Sequence, residues 1–184
     1  MDATIALPAV SHLETIVCQA LSEAAERAEG GMTTNICDVL DRELKKHVPH
    51  IESAFGRSLT ITEDRREFLV DFSAILCEPR ELNVERYTTQ VLVAGEIEAS
   101  SNLGRDFDKL LYIDSLVYFF AFDNRINEHK KFGTSDLEFF LGVASRRIRH
   151  LNSRGVKPLP SFILSAFDQR ARSCETRLIN GSTI

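Results

Sequence analysis

At 184 residues and a formal net charge of −5, the chain is long enough for one sizeable core and short for two, so a single domain over residues 1–184 is expected. Hydrophobic residues make up 43% and charged residues 27%, which excludes wholesale disorder, and no apolar run approaches the roughly 18 residues that would span a bilayer. The opening MDATIALPAV lacks the basic start of a secretory signal, and Cys18, Cys37, Cys77 and Cys174 are scattered without a CxxC pair, so reduced thiols and a cytoplasmic location are expected and a zinc site is not.

Ser11 with Glu14 has the pattern of a capping box, and Leu13, Ile16, Val17, Ala20, Leu21 and Ala24 follow at helical spacing. Gly30-Gly31 should stop that helix. A second helix is expected from about Thr34, with Ile36, Val39, Leu40, Leu44 and Val48 on one face, ending before Pro49. The period then changes. Ser58 to Thr62 reads as a short strand, and Glu67 to Cys77 as a stronger one rich in branched and aromatic residues, broken at Glu78-Pro79. Thr88 to Ser100 is most apolar in its first half, as befits a central strand. Leu103 to Ile113 reads as a short helix and Ser115 to Phe122 as a buried strand. Ser135 with Glu138 then caps an amphipathic helix through Leu137, Phe140, Leu141, Ala144, Ile148 and Leu151. Ser161 to Phe167 comes after the turn-rich RGVKPLP as a last strand. This order of elements predicts an α/β fold, a central mixed β-sheet flanked by helices.

The charge is unevenly spread. From Arg125 onward there are 11 Lys and Arg against 5 Asp and Glu, a balance of +6, whereas the preceding residues carry 11 against 22, or −11. An acidic half joined to a basic half suits a protein that gathers cations in one place and an anion nearby; a solvated surface with uneven charge would look the same.

Four acidic residues occupy positions where a packed core prefers apolar ones. Asp71 interrupts Phe68-Leu69-Val70 and Phe72. Glu96 and Glu98 follow Val91-Leu92-Val93-Ala94 and, two apart on a strand, point to the same face. Glu43 lies within the stripe set by Ile36, Leu40 and Leu44. An unpaired buried carboxylate costs several kcal/mol or shifts its pKa, so a cluster of them needs a cation, a proton or an arginine. A hard divalent metal answers that need with carboxylate oxygens. Each residue alone has a simpler explanation: an edge strand for Asp71, a solvated strand end for Glu96 and Glu98, pairing with Lys45 or Lys46 for Glu43.

Taken in order, a helix Glu, a strand Asp, a strand Glu-x-Glu, a helix and a strand, the arrangement resembles the αβββαβ core of the PD-(D/E)XK, or restriction-endonuclease-like, superfamily over about residues 34–122. The resemblance implies that Asp71 and Glu96 ligate Mg²⁺ or Mn²⁺, and that Glu43 is the helix glutamate many members add. The third motif position, usually Lys, is Glu98 here, and Val70 stands where the motif has Pro. Some members use Glu at that position, and others carry the lysine on the following helix, where Lys109 of DFDKLL (Asp106 to Leu111) is placed to serve. The resemblance further implies metal-dependent hydrolysis of DNA by a bacterial nuclease, with a homodimer as one arrangement. The alternatives are a catalytically silent copy of the fold that acts as a scaffold, or a subunit that needs a protein partner. Candidate phosphate-binding residues are Lys130 and Lys131, then Arg146, Arg149 and His150, which share a helix face, and Arg154. The same basic cluster would also suit the negative end of a helix dipole.

Overall fold

Leu13, Ile16, Val17, Ala20, Leu21 and Ala24 form the buried side of helix α1 (Val10–Glu26), as their three- and four-residue spacing requires. The computed structural model describes residues 8–27, 30–48, 51–55, 70–77, 88–99, 102–125 and 135–183. The start of α1 lies earlier than its capping-box pattern suggests: Ala9 takes the N-cap position with no side-chain bond. Glu14 is thereby left inside the helix, where its buried carboxylate accepts hydrogen bonds from Ser161 Oγ and Asn180 Nδ2. Helix α2 (Met32–His47) starts two residues before the expected Thr34, with Gly31 as its N-cap, and packs on α1 through Ile36, Val39, Leu40 and Leu44.

Among the described residues six strands make one sheet, whose spatial order is their order in the chain: β1 (Ile51–Phe55), β2 (Phe72–Cys77), β3 (Thr88–Glu98), β4 (Ser115–Asp123), β5 (Ser161–Asp168) and β6 (Ser173–Ile179). β1, β2 and β3 are an antiparallel meander. β3, β4 and β5 are parallel, joined by crossover helices α3 (Leu103–Leu110) and α4 (Asp136–Ser153), and β6 returns antiparallel to β5. The fold is α/β with a mixed sheet between two helical layers, since parallel neighbours need a crossover and each crossover helix covers a face. On the α1/α2 side the core joins Val93, Ile97, Val117, Phe119 and Ile163 to both helices; on the α3/α4 side it joins Ala94, Phe120, Phe162, Phe107 and Phe140.

Several boundaries differ from the sequence reading. β2 begins at Phe72, so Asp71 sits in the bend that leads into the strand and not within it. Residues 58–62 lie outside the described residues, and the first described strand is β1, a segment without a strong alternating pattern. α3 ends at Leu110, and a turn carries the chain through Ile113. β6 was not expected: it is an edge strand, largely exposed on both faces, and its SCETRLI has no buried face to give it a signature. The cap of α4 is as expected, with Ser135 Oγ accepting the Glu138 amide at 3.2 Å.

Gly95 decides how close β3 and β4 can lie on the α1/α2 side. It pairs with Phe119, whose ring occupies the space a side chain at 95 would need; an added Cβ would fall 1.9 Å from the ring. Only glycine allows that approach.

Candidate carboxylate–lysine site

Side chains alternate along β3, so with Val93 and Ile97 directed at α1 and α2, Glu96 and Glu98 are directed at the α3 layer. Glu96 is 2% exposed. Lys109, in the last turn of α3, reaches back over it: Nζ lies 3.4 Å from Glu96 Oε2 and 2.7 Å from Asp106 Oδ1. The Asp106–Lys109 contact is the three-residue neighbourhood that a helix surface provides. Asp106 is also hydrogen-bonded to Glu98.

Asp71 closes the cluster from the bend before β2. The last paired residues are Phe72 and Gly95, and one step further Asp71 Oδ2 accepts the Ile97 amide at 2.8 Å. Its carboxylate thus stands in for the backbone acceptor that β2 stops providing, and this holds Asp71 beside Glu96.

Charge is poorly balanced here. Among the described residues carboxyls outnumber cations: Glu96 and Asp106 both meet the Lys109 ammonium, Asp71 lies beside Glu96, Glu98 lies against Asp106, and Arg105 adds a second positive charge near Asp106. Burial, then the nearby Asp71 charge, push the Glu96 carboxyl up to about 8 from an ordinary 4.5. Its Oε1 is buried and has no hydrogen-bond partner among the described residues. Burial also penalises the Asp106 carboxylate, but hydrogen bonds from Glu98 and Lys109 outweigh it and hold Asp106 below its usual range. Burial opposes the Lys109 charge too, and the two carboxylates override it and raise that group.

Asp71, Glu96, Glu98 and Lys109 are brought together. Glu43 is not with them: it is paired with its own helix, through Arg42 Nε at 2.8 Å, His47 Nε2 at 3.5 Å and Lys46 Nζ at 3.7 Å, and α2 covers the sheet face opposite to Glu96. Lys130 and Lys131 lie outside the described residues. Arg146, Arg149, His150 and Arg154 are exposed. Because α4 descends from the end of β4 to the start of β5, these four lie toward the end of the sheet away from Glu96 and Glu98.

Asp106 is the member that sequence reasoning passed over, although it opens the DFDKLL segment. The signal that could have found it was its spacing of three from Lys109. Asp123, 1% exposed at the end of β4, was also passed over; its carboxylate is met by Arg125 and by Gln169 Nε2 at 3.1 Å, so it is already balanced. Among the described residues no group of three or more His, Cys, Asp or Glu side chains is already disposed to hold a metal ion. Comparison of the chain with protein-family models, with curated proteins and with solved structures found no match.

Proposed function

We propose that this chain is a divalent-metal-dependent hydrolase of phosphodiester bonds in DNA, with its site at Asp71, Glu96, Glu98 and Lys109. The observation that carries the reading is the buried Glu96 oxygen without a partner among the described residues, on a carboxyl that lies beside Asp71 and shares the Lys109 ammonium with Asp106. An all-oxygen donor set suits Mg²⁺ or Mn²⁺. Asp71 and Glu96 would hold the ion, whose contribution when bound is Lewis acidity toward the phosphoryl oxygen and a lowered pKa for a coordinated water.

The remaining work falls to the chain itself. Lys109, kept protonated by Asp106 and Glu96, supplies positive charge where negative charge builds up on the phosphoryl oxygens. Asp106 orients Lys109 through the 2.7 Å contact. Glu98 lies against Asp106, and would accept the proton of the attacking water once the incoming cation has displaced its own. The finer fold assignment, a restriction-endonuclease-like core, belongs to the same reading: it is supported by the antiparallel meander β1–β3 followed by a crossover to a parallel β4.

A second reading is favoured by Lys109 itself. Its Nζ already lies against Glu96 and Asp106, as in a protein that keeps the fold as a scaffold, or as a subunit silent until a partner arrives. Cleavage of plasmid and single-stranded DNA with Mg²⁺ or Mn²⁺ tests the two. We expect metal-dependent cutting that Asp71→Ala and Glu96→Ala each reduce at least a hundredfold. A pure wild-type protein that neither cuts nor binds either ion by calorimetry would leave the scaffold reading standing.

A further inference from the structure

The end of the sheet remote from the carboxylates carries a pocket of about 320 Å³, between the turn after α3, the C-terminal half of α4 and the segment before β5. Gln90, also in its wall, is six residues before Glu96 on β3, a separation of about 20 Å along a strand. Its wall combines three chemistries. Leu151 and Val156 give an apolar side. Arg147 and Lys157 are both in its wall, the Lys157 ammonium donating to Asn152 Oδ1 at 3.4 Å, and Asp114 adds one carboxylate. Tyr112 stands at the mouth, 84% exposed, the most exposed large hydrophobic side chain among the described residues.

The floor is preformed. Tyr118 Oη donates to the Ile113 carbonyl at 2.6 Å and accepts the Ser115 amide at 3.1 Å. Its ring stacks on Phe162 with centroids 4.7 Å apart. The turn that presents Tyr112 is tied down as well, with its amide bonded to the Lys109 carbonyl at 3.1 Å. A tyrosine ring held in water by a fixed turn, beside two cations and an apolar wall, is arranged for a ligand with a flat ring and an anionic group.

We propose that this pocket binds a nucleoside monophosphate. The phosphate meets Arg147 and Lys157, the base lies against the Tyr112 ring and the Leu151–Val156 wall, and Asp114 accepts from a sugar hydroxyl or an exocyclic amine. Base–aromatic stacking tolerates any base, because every base has a flat face to lay on the ring. The volume is at the small end of the roughly 300–1,000 Å³ typical of ligand pockets, enough for one nucleotide and too little for a dinucleotide. The site is separate from the carboxylate cluster and does not depend on the hydrolase reading.

Calorimetric titration of the full chain with AMP, GMP, CMP and UMP, and with inorganic phosphate, tests the proposal in EDTA so that metal at the carboxylates does not contribute. At least one nucleotide should bind saturably and at least tenfold more tightly than phosphate. Tyr112→Ala and Lys157→Gln, both at exposed positions, should each weaken it tenfold or more, as should Arg147→Gln, whereas Glu96→Gln should leave it unchanged. The proposal is overturned if no nucleotide binds, if phosphate binds equally well, or if the Tyr112 and Lys157 variants bind as wild type does.

Discussion

Glu96 carries two demands that pull against each other: a buried position on a central strand, and a charge once its proton is gone. Its folded-state pKa of about 8 lies above its ordinary 4.5. The folded protein therefore holds this proton more tightly than the unfolded chain does. The associated stability is fully present below about pH 4.5 and is lost as pH rises toward and through about 8. Glu96→Gln removes the titration while keeping the shape. By urea unfolding the variant should be more stable than wild type at pH 8.5, by on the order of 2 kcal/mol, with the difference shrinking toward pH 5. Added Mg²⁺ should close the gap at pH 8.5 by stabilising wild type only, since a cation can replace the proton on Glu but not on Gln. Parallel pH profiles for the two proteins would remove the buried-charge account of this residue.

Elements in this fold are decided by different amounts of local information. β3 and β4 meet through Gly95, and Gly95→Ala should destabilise the protein by about 1–3 kcal/mol, because a methyl group would collide with the Phe119 ring; thermal unfolding should show a lowered midpoint. At the start of α4, Ser135→Ala removes the side-chain acceptor of the Glu138 amide and should cost about 1 kcal/mol by the same measurement. That cap, the apolar stripe of α4 and the buried run of β4 were legible in the sequence because local pattern and tertiary packing agree there. The face shared by Glu96 and Glu98 was legible for the same reason, since strand alternation alone decides it. The start of β2 was not: Val70 and Phe72 flank Asp71 like strand residues, but pairing stops at Phe72, and the carboxylate of Asp71, not its backbone, meets Ile97. Glu43 misled because the spacing that put it near the apolar stripe also puts it beside Arg42, Lys46 and His47. β6 has no apolar face to read, and its place depends on β5.

Across the whole molecule, the separation of the acidic and basic regions along the sheet sets what each can contribute. On the proposed hydrolase reading, Arg146 and Arg149, far from Glu96 along the sheet, would attract the phosphate backbone and not act on the scissile bond. Replacing both by Gln should weaken DNA binding and lower the slope of log affinity against log salt by about 1 to 2, the sign that one or two phosphates are no longer neutralised. Turnover at saturating DNA should be unchanged, and an unaltered salt slope would assign the cluster to solvent and the helix dipole alone. The strand order raises a separate matter of timing. Every described strand pairs with its immediate neighbours in sequence, so this sheet can grow one strand at a time as the chain leaves the ribosome. Helix α1 cannot be completed that way: it packs on β5 and β6, and its Glu14 waits for Ser161 and Asn180. Of the described helices α1 comes earliest in the chain, yet it is the last to find its full partner surface. Until β4, β5 and β6 have formed, its apolar side has only α2 to cover it, so this helical pair is where apolar surface stays exposed longest during folding.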